Sequence, residues 1–227
     1  MNKPALVLAL LLCAVCAVAW GQSADFEMNG TTLVKYKGNA ANVVIPEGVT
    51  VIGDSAFRSN DSVVSVTIPP SVISIEKYAF SHCYSLVSIT IPASVTSIGK
   101  NTFWGCESLT SVTIPSSITA IDKDVFYGCI GLTTITIPPS VSSIGESVFT
   151  YCTSLASVAI PSSVTSIGNW AFTYCDSLTN ITIPPCVTSI GDYVFYRCDN
   201  LKTVTVSRKT KIGKDAFPDG VTIIYSD

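Results

Sequence analysis

Phe57, Phe80, Phe103, Phe126, Phe149, Phe172 and Phe195 follow one another at intervals of 23 residues, and Phe217 comes 22 residues later. A fixed period in the twenties specifies a solenoid, in which one short unit is written repeatedly and each copy buries its apolar face against its neighbours. Nothing else in the chain restricts the fold so tightly.

The unit can be read position by position. Leu109, Val112 and Ile114 recur as Leu132, Ile135 and Ile137, and as Leu155, Val158 and Ile160. The last two of each set are separated by one residue, the alternation of a strand. Pro69, Pro92, Pro115, Pro138, Pro161 and Pro184 follow at once, and a residue without an N–H ends the ladder there. A second apolar pair comes next, such as Val95 and Ile98, often with Gly after it (Gly99, Gly145, Gly168, Gly191) for a tight turn. The expected product is a repeat solenoid, mostly strand and turn with little helix, whose coils stack at about 4.8 Å.

This pattern, L-x-x-I-x-I-P followed by V-x-x-I-G-x-x-A-F-x-x-C, resembles the BspA-like leucine-rich repeat proteins over residues 43–225. The resemblance implies a right-handed curved solenoid with a parallel β-sheet on its concave face. It implies an exported or surface protein that binds a protein ligand, such as a host matrix or plasma protein, or a neighbouring cell. The expected organisation is a signal peptide at 1–21, an N-terminal β cap at 22–46, repeats at 47–212 and a C-terminal cap at 213–227.

The start of the chain supports export. Lys3 precedes an apolar run from Ala5 to Trp20, with small residues at Ala17, Ala19 and Gly21. This is the layout of a secretory signal cut after Gly21 or Ala19, too short to favour a transmembrane helix. A lipoprotein signal is the rival, since Cys13 and Cys16 lie nearby, but Leu12 and Val15 stand where a small residue is expected. Removing Lys3 would take the net charge from −3 to −4, which gives no basic surplus for nucleic acid. With 13% charged and 48% apolar residues, the surface must be neutral and rich in Ser and Thr.

Cys83, Cys106, Cys129, Cys152, Cys175 and Cys198 each lie three residues after a Phe, and Asn60 fills that slot in the first coil. An inward group that holds the turn fits both residue types. Buried free thiols and disulfides between adjacent coils are both readings. The parallel vectors of stacked positions favour thiols. A one-sided column cannot surround a metal ion. Cys186 replaces the serines at 71, 94, 117, 140 and 163, in a slot expected to be exposed.

No catalytic constellation emerges. His82 is the single histidine and reads as a surface turn residue without catalytic partners. Asp122 and Asp124 stand where other coils have Gly and Asn or Tyr. There is no phosphate loop and no HExxH motif, so no enzyme and no cofactor are expected.

Two faces compete as binding surfaces. The outer side of the long strand carries paired hydroxyls, among them Ser111 and Thr113, and Thr134 and Thr136. They form two files down the concave sheet, about 6.6 Å apart along the strand. The bland alternative is that Thr is a good exposed strand residue. Ice binding, which flat hydroxyl files also suit, conflicts with a curved sheet. The second face is the turn after Phe. Trp104, Tyr127 and Tyr196 come one residue after a Phe, and Tyr151 and Tyr174 come two after. Such rings suit protein recognition, unless they only pack against one another. The last coil carries Arg197, Lys202, Arg208, Lys209, Lys211 and Lys214. These could touch acidic glycans, but lysines on a terminal strand are expected to discourage edge association. A self-assembling scaffold without a foreign ligand is the rival to a binding module.

Overall fold

The computed structural model describes residues 23–226, so the signal-peptide reading lies outside the described residues. The chain winds as a β-solenoid whose coils present three walls. The first wall is the long strands that precede each proline. Asn42–Val44, Ser65–Thr67, Ser88–Thr90, Ser111–Thr113 and Thr134–Thr136 form one five-stranded parallel sheet. Asn180–Thr182, Thr203–Ser207 and Thr222–Ser226 form a second parallel sheet. The inner residue of each strand is buried and its neighbours face out, as the two-residue alternation requires.

At the end of each long strand the chain turns over proline. Val72 N–H reaches Pro69 O at 3.1 Å, and the same bond recurs at Val95, Ile118, Val141, Val164 and Val187. The second wall follows, made of two-residue strands. Val51–Ile52, Ser74–Ile75 and Ser97–Ile98 continue a sheet begun by an antiparallel hairpin, Phe26–Asn29 with Thr32–Tyr36. Ala120–Ile121, Ser143–Ile144, Ser166–Ile167, Ser189–Ile190 and Lys211–Ile212 form another. Among the described residues the helical content is a three-residue 3-10 turn at Ser23–Asp25.

The third wall has no strands, yet it is hydrogen-bonded as regularly. Ser55, Phe57 and Ser59 donate their N–H groups to Lys77, Ala79 and Ser81 in the next coil, at 3.1, 2.7 and 2.9 Å. To aim these bonds, the residues two before and two after each Phe take the left-handed conformation. The pairs run Ser55 and Ser59, Tyr78 and His82, Asn101 and Gly105, Asp124 and Gly128, Ser147 and Tyr151, Trp170 and Tyr174, Tyr193 and Arg197. A side chain in that conformation costs about 1–2 kcal/mol. The bond to the next coil holds it there.

Inside, the phenylalanines form a continuous stack from Phe57 to Phe217, with centroids 4.9–5.8 Å apart. Tyr36 and Phe26 extend it to the N-terminal end. Every Phe from 57 to 195 is completely buried, each contributing about 1.5–3 kcal/mol of transfer free energy. The cysteine column runs beside them. Each thiol donates to the carbonyl of the Phe in the preceding coil, as Cys129 Sγ does to Phe103 O at 3.2 Å. Asn60 also donates to a carbonyl of the coil before, Gly38 O at 3.0 Å, so Asn and Cys both serve as inward donors at this slot.

Three expectations need correction. The serine slot that Cys186 occupies is half-buried rather than exposed. Ser71, Ser117, Ser140 and Ser163 turn inward there and bond the carbonyl of the coil before. The hydroxyl files are not continuous, because residues 157–159 form no strand and separate the two long-strand sheets. In the coils before, Thr110 and Thr133 tie their hydroxyls to the previous coil, whereas Ala156 has no hydroxyl and Ala159 replaces a strand-favouring Thr. Lysine guards only one terminal edge. Lys211 lies on the edge strand of the short-strand sheet, but the long-strand sheet ends in Thr222–Ser226, which has no charged residue.

Candidate functional site

In the two positions that follow Phe, the third wall carries one aromatic ring per coil over six coils. Where the residue after Phe is large (Trp104, Tyr127, Tyr196), the next one is Gly105, Gly128 or Arg197. Where it is small and buried (Ser81, Thr150, Thr173), the next one is His82, Tyr151 or Tyr174. The two slots substitute for each other. Small hydroxyl residues fit beneath the turn: Thr150 Oγ1 donates to Trp170 O and Thr173 Oγ1 to Tyr193 O, both at 2.6 Å. The ring then moves one residue along.

These rings touch in series. Centroid separations are 4.8 Å for His82 to Trp104, 6.0 Å to Tyr127, 5.6 Å to Tyr151, 4.5 Å to Tyr174 and 6.2 Å to Tyr196. Most contacts are tilted or edge-to-face, and Tyr151 lies parallel to Tyr174. A branch runs from Tyr196 to Tyr193 and on to Trp170. None of the strip rings is fully buried, and Tyr151 and Tyr196 are exposed at 39% and 42%. Burial pushes the Tyr127 phenol above its ordinary pKa, with the neighbouring Tyr151 and Asp124 adding to the rise. The rings therefore pack on one another and still face solvent.

His82 is the strip residue that sequence reasoning set aside. Its Nδ1 shares a 2.8 Å hydrogen bond with Ser81 Oγ, and its ring lies between Tyr84 and Trp104. A side chain at Gly105 would reach within 3.2 Å of the imidazole. The signal was available, since His82 occupies the slot of Tyr151 and Tyr174. No carboxylate completes a catalytic set with Ser81 and His82 among the hydrogen bonds of the described residues.

Residues 32–155 and 119–224 match the profile described as "BspA type Leucine rich repeat region", in six copies. The chain belongs to the BspA-type leucine-rich repeat family. Solved structures agree. A leucine-rich repeat protein from Bacteroides ovatus is similar at 25% identity and a TM-score of 0.60, over 88% of this chain and 68% of that one. A leucine rich cell surface protein from Faecalibacterium prausnitzii is similar at 30% identity and a TM-score of 0.57, covering 82% of this chain. The chain spans only 60% of that protein's length. The leucine-rich repeat protein of T. pallidum is similar at 27% identity and a TM-score of 0.56, over 87% of this chain and 90% of that one. No curated protein matches.

The other BspA-type features offer less. Ser111, Thr113, Thr134 and Thr136 are exposed on the intact five-stranded sheet. Burial pushes the Cys83 thiol up to about 12, and lifts those of Cys106, Cys129, Cys152 and Cys175 well above the ordinary range. Such thiols are neutral and poor nucleophiles. No group of three or more His, Cys, Asp or Glu among the described residues is placed to hold a metal ion. No described helix is long and apolar enough to cross a membrane.

The short-strand sheet is split between Ser97–Ile98 and Ala120–Ile121, leaving a cleft of about 420 Å³ over Ile98, Ile118 and Ile121. In that coil Asp122 replaces the glycine that packs flat on the coil before. A Cβ on Gly99 would meet Lys77 N at 2.5 Å. Glu76 is tolerated in the same slot, because Ser74 Oγ holds its carboxylate at 3.1 Å and Glu76 N–H still reaches Ile52 O. Asp122 has only Ala120 at the equivalent position, and instead accepts from Lys123 N–H at 2.8 Å. That local bond competes with the ladder.

Proposed function

We propose that this BspA-type chain is a non-enzymatic binding module, exported to the cell surface or the medium, that holds a protein ligand through its aromatic strip. The observation that carries the reading is the ring-per-coil series His82, Trp104, Tyr127, Tyr151, Tyr174 and Tyr196. The rings extend over roughly 24 Å, five steps at the coil spacing. Tyr and Trp bury much area while giving up little side-chain entropy. Here the coil backbone and the ring contacts pre-order them, which lowers the cost of binding further.

The family supports protein recognition, and the Faecalibacterium relative is described as a cell surface protein. An extracellular matrix protein, a plasma protein or a neighbouring cell's surface protein is the ligand class that fits. The sheet bearing Ser111, Thr113, Thr134 and Thr136 is the competing face. It is cut short at residues 157–159 and offers mostly hydroxyls, with Val44 on its edge strand as an exposed apolar side chain.

The test is capture of the ligand by the immobilised chain, its identification by mass spectrometry, and affinity measurement with purified ligand. Trp104→Ala and the double variant Tyr151→Ser with Tyr174→Ser should each weaken binding by at least tenfold, a loss of about 1.4 kcal/mol. Thr113→Lys should leave it unchanged. Loss with Thr113→Lys alone would move the site to the sheet.

A further inference from the structure

The two ends of the solenoid are finished differently. At the N-terminal end the hairpin closes the core: Phe26, Leu33 and Tyr36 are buried to 7%, 0% and 2% exposure. At the other end the core is less covered among the described residues. Phe217, the last ring of the stack, and Val221 and Ile223 are only partly buried, and Tyr225 is 44% exposed. On the same end Thr222–Ser226 pairs along one edge with Thr203–Ser207, and among the described residues nothing pairs with its other edge.

An unpaired strand edge presents a row of N–H and C=O groups, a template on which another strand can pair. We infer that this edge is a self-association surface, at which Thr222–Ser226 pairs antiparallel with the same strand of a second copy. Three observations point to that occupant. The strand, Thr-Ile-Ile-Tyr-Ser, carries no charge, so nothing on it repels its own copy. It is self-complementary when reversed about Ile224: Thr222 then lies opposite Ser226, Ile223 opposite Tyr225, and Ile224 opposite itself. Ile224, at 48% exposure, lies on the outer side of the sheet in register with Thr205, where its partner across the two-fold axis would cover it. The strand Asn42–Val44 is also an edge of its sheet, but at that end the hairpin covers the core. Association at the less covered core joins like ends and closes at two copies instead of growing into a filament.

Arg208 already lies over the Tyr225 ring at 4.5 Å, so this cation, next to the end of the adjoining strand, is engaged within the chain. This surface is separate from the aromatic strip, and the inference stands whether or not the strip binds a ligand.

The experiment is light scattering and analytical ultracentrifugation of the chain from about 1 to about 100 µM, without any partner. The mass should rise from one copy to two and stop there. Ile224→Lys, which would set two lysines against each other across the axis, should remain monomeric with an unchanged far-ultraviolet circular dichroism spectrum. Val44→Lys, on the N-terminal edge strand Asn42–Val44, should still form the dimer and serves as the control. A wild-type chain that stays monomeric throughout overturns the inference. So does a dimer that survives Ile224→Lys or dissolves with Val44→Lys, and so does open-ended growth.

Discussion

The rings of Tyr151 and Tyr174 lie 4.5 Å apart and within 10° of parallel, and both residues hold left-handed backbones, at φ 61° and 58°. Glycine would occupy either position without strain, as Gly105 and Gly128 do two coils earlier. Placing tyrosine there costs backbone energy that the ring contact returns only in part.

That balance gives a first prediction. Tyr174→Gly relieves the backbone and loses the ring, so it should change stability by no more than about 1 kcal/mol. Tyr174→Ala loses the ring and keeps the strain, and should be less stable than Tyr174→Gly by about 1 kcal/mol. Urea denaturation of the three proteins measures both differences. If the strip is the binding surface, ligand affinity should fall equally in the two variants, since both remove the ring.

The phenylalanine stack should respond to truncation according to position. Phe126→Ala removes a fully buried ring between Phe103 and Phe149 and should cost about 3–5 kcal/mol. Phe217→Ala, at the half-open end, should cost distinctly less. Equal losses in chemical denaturation would mean that burial at the two ends is not as described.

The buried thiols make the fold sensitive to alkali. Cys83, Cys106, Cys129, Cys152 and Cys175 all have pKa values raised by burial above the ordinary 9.0. In the unfolded chain they ionise near 9, while in the folded chain they keep their protons. The unfolded state therefore binds fewer protons above that pH, and stability falls as pH rises. Their contribution is fully present below pH 9 and is lost progressively toward 12, where Cys83 titrates in the folded state. Thermal melts from pH 7 to pH 11 should show it. In the native protein at pH 8, iodoacetamide should label Cys186, the described cysteine that is not fully buried, and spare the column.

The split in the short-strand sheet should be repairable. Asp122→Gly restores the residue that packs flat on the coil before, and Ala120→Ser restores a hydroxyl that can hold the carboxylate as Ser74 holds Glu76. Either change should slow amide exchange at residues 119–122 toward that of Ser97 to Gly99. Unchanged exchange would show that the split has another cause.

Much of this was legible in the sequence because the period forces it. The Phe interval specifies the stack, and the alternation before each proline specifies the long strands. The Asn60-for-Cys exchange pointed to an inward group before its bond to Gly38 was visible. The left-handed pairs around each Phe were not legible, since only Gly105 and Gly128 of those positions are glycine and tyrosine gives no hint of a positive φ. The strip was half legible. Its rings stand in two separate slots of the sequence, and only the fold shows that the slots alternate and draw His82 into one series. The breaks at Ala120–Asp122 and at residues 157–159 stood in the sequence as departures from the repeat. Their effect depends on hydroxyl ties and backbone contacts between coils that a single unit does not reveal.

The central claim is that the strip is the ligand-binding surface, and hydroxyl-radical footprinting of the chain at saturating ligand tests it most directly. Oxidation of Trp104, Tyr127, Tyr151 and Tyr174 should fall several-fold on binding, while that of Tyr225 stays as in the free chain. Equal oxidation of the four strip rings with and without bound ligand would contradict the claim.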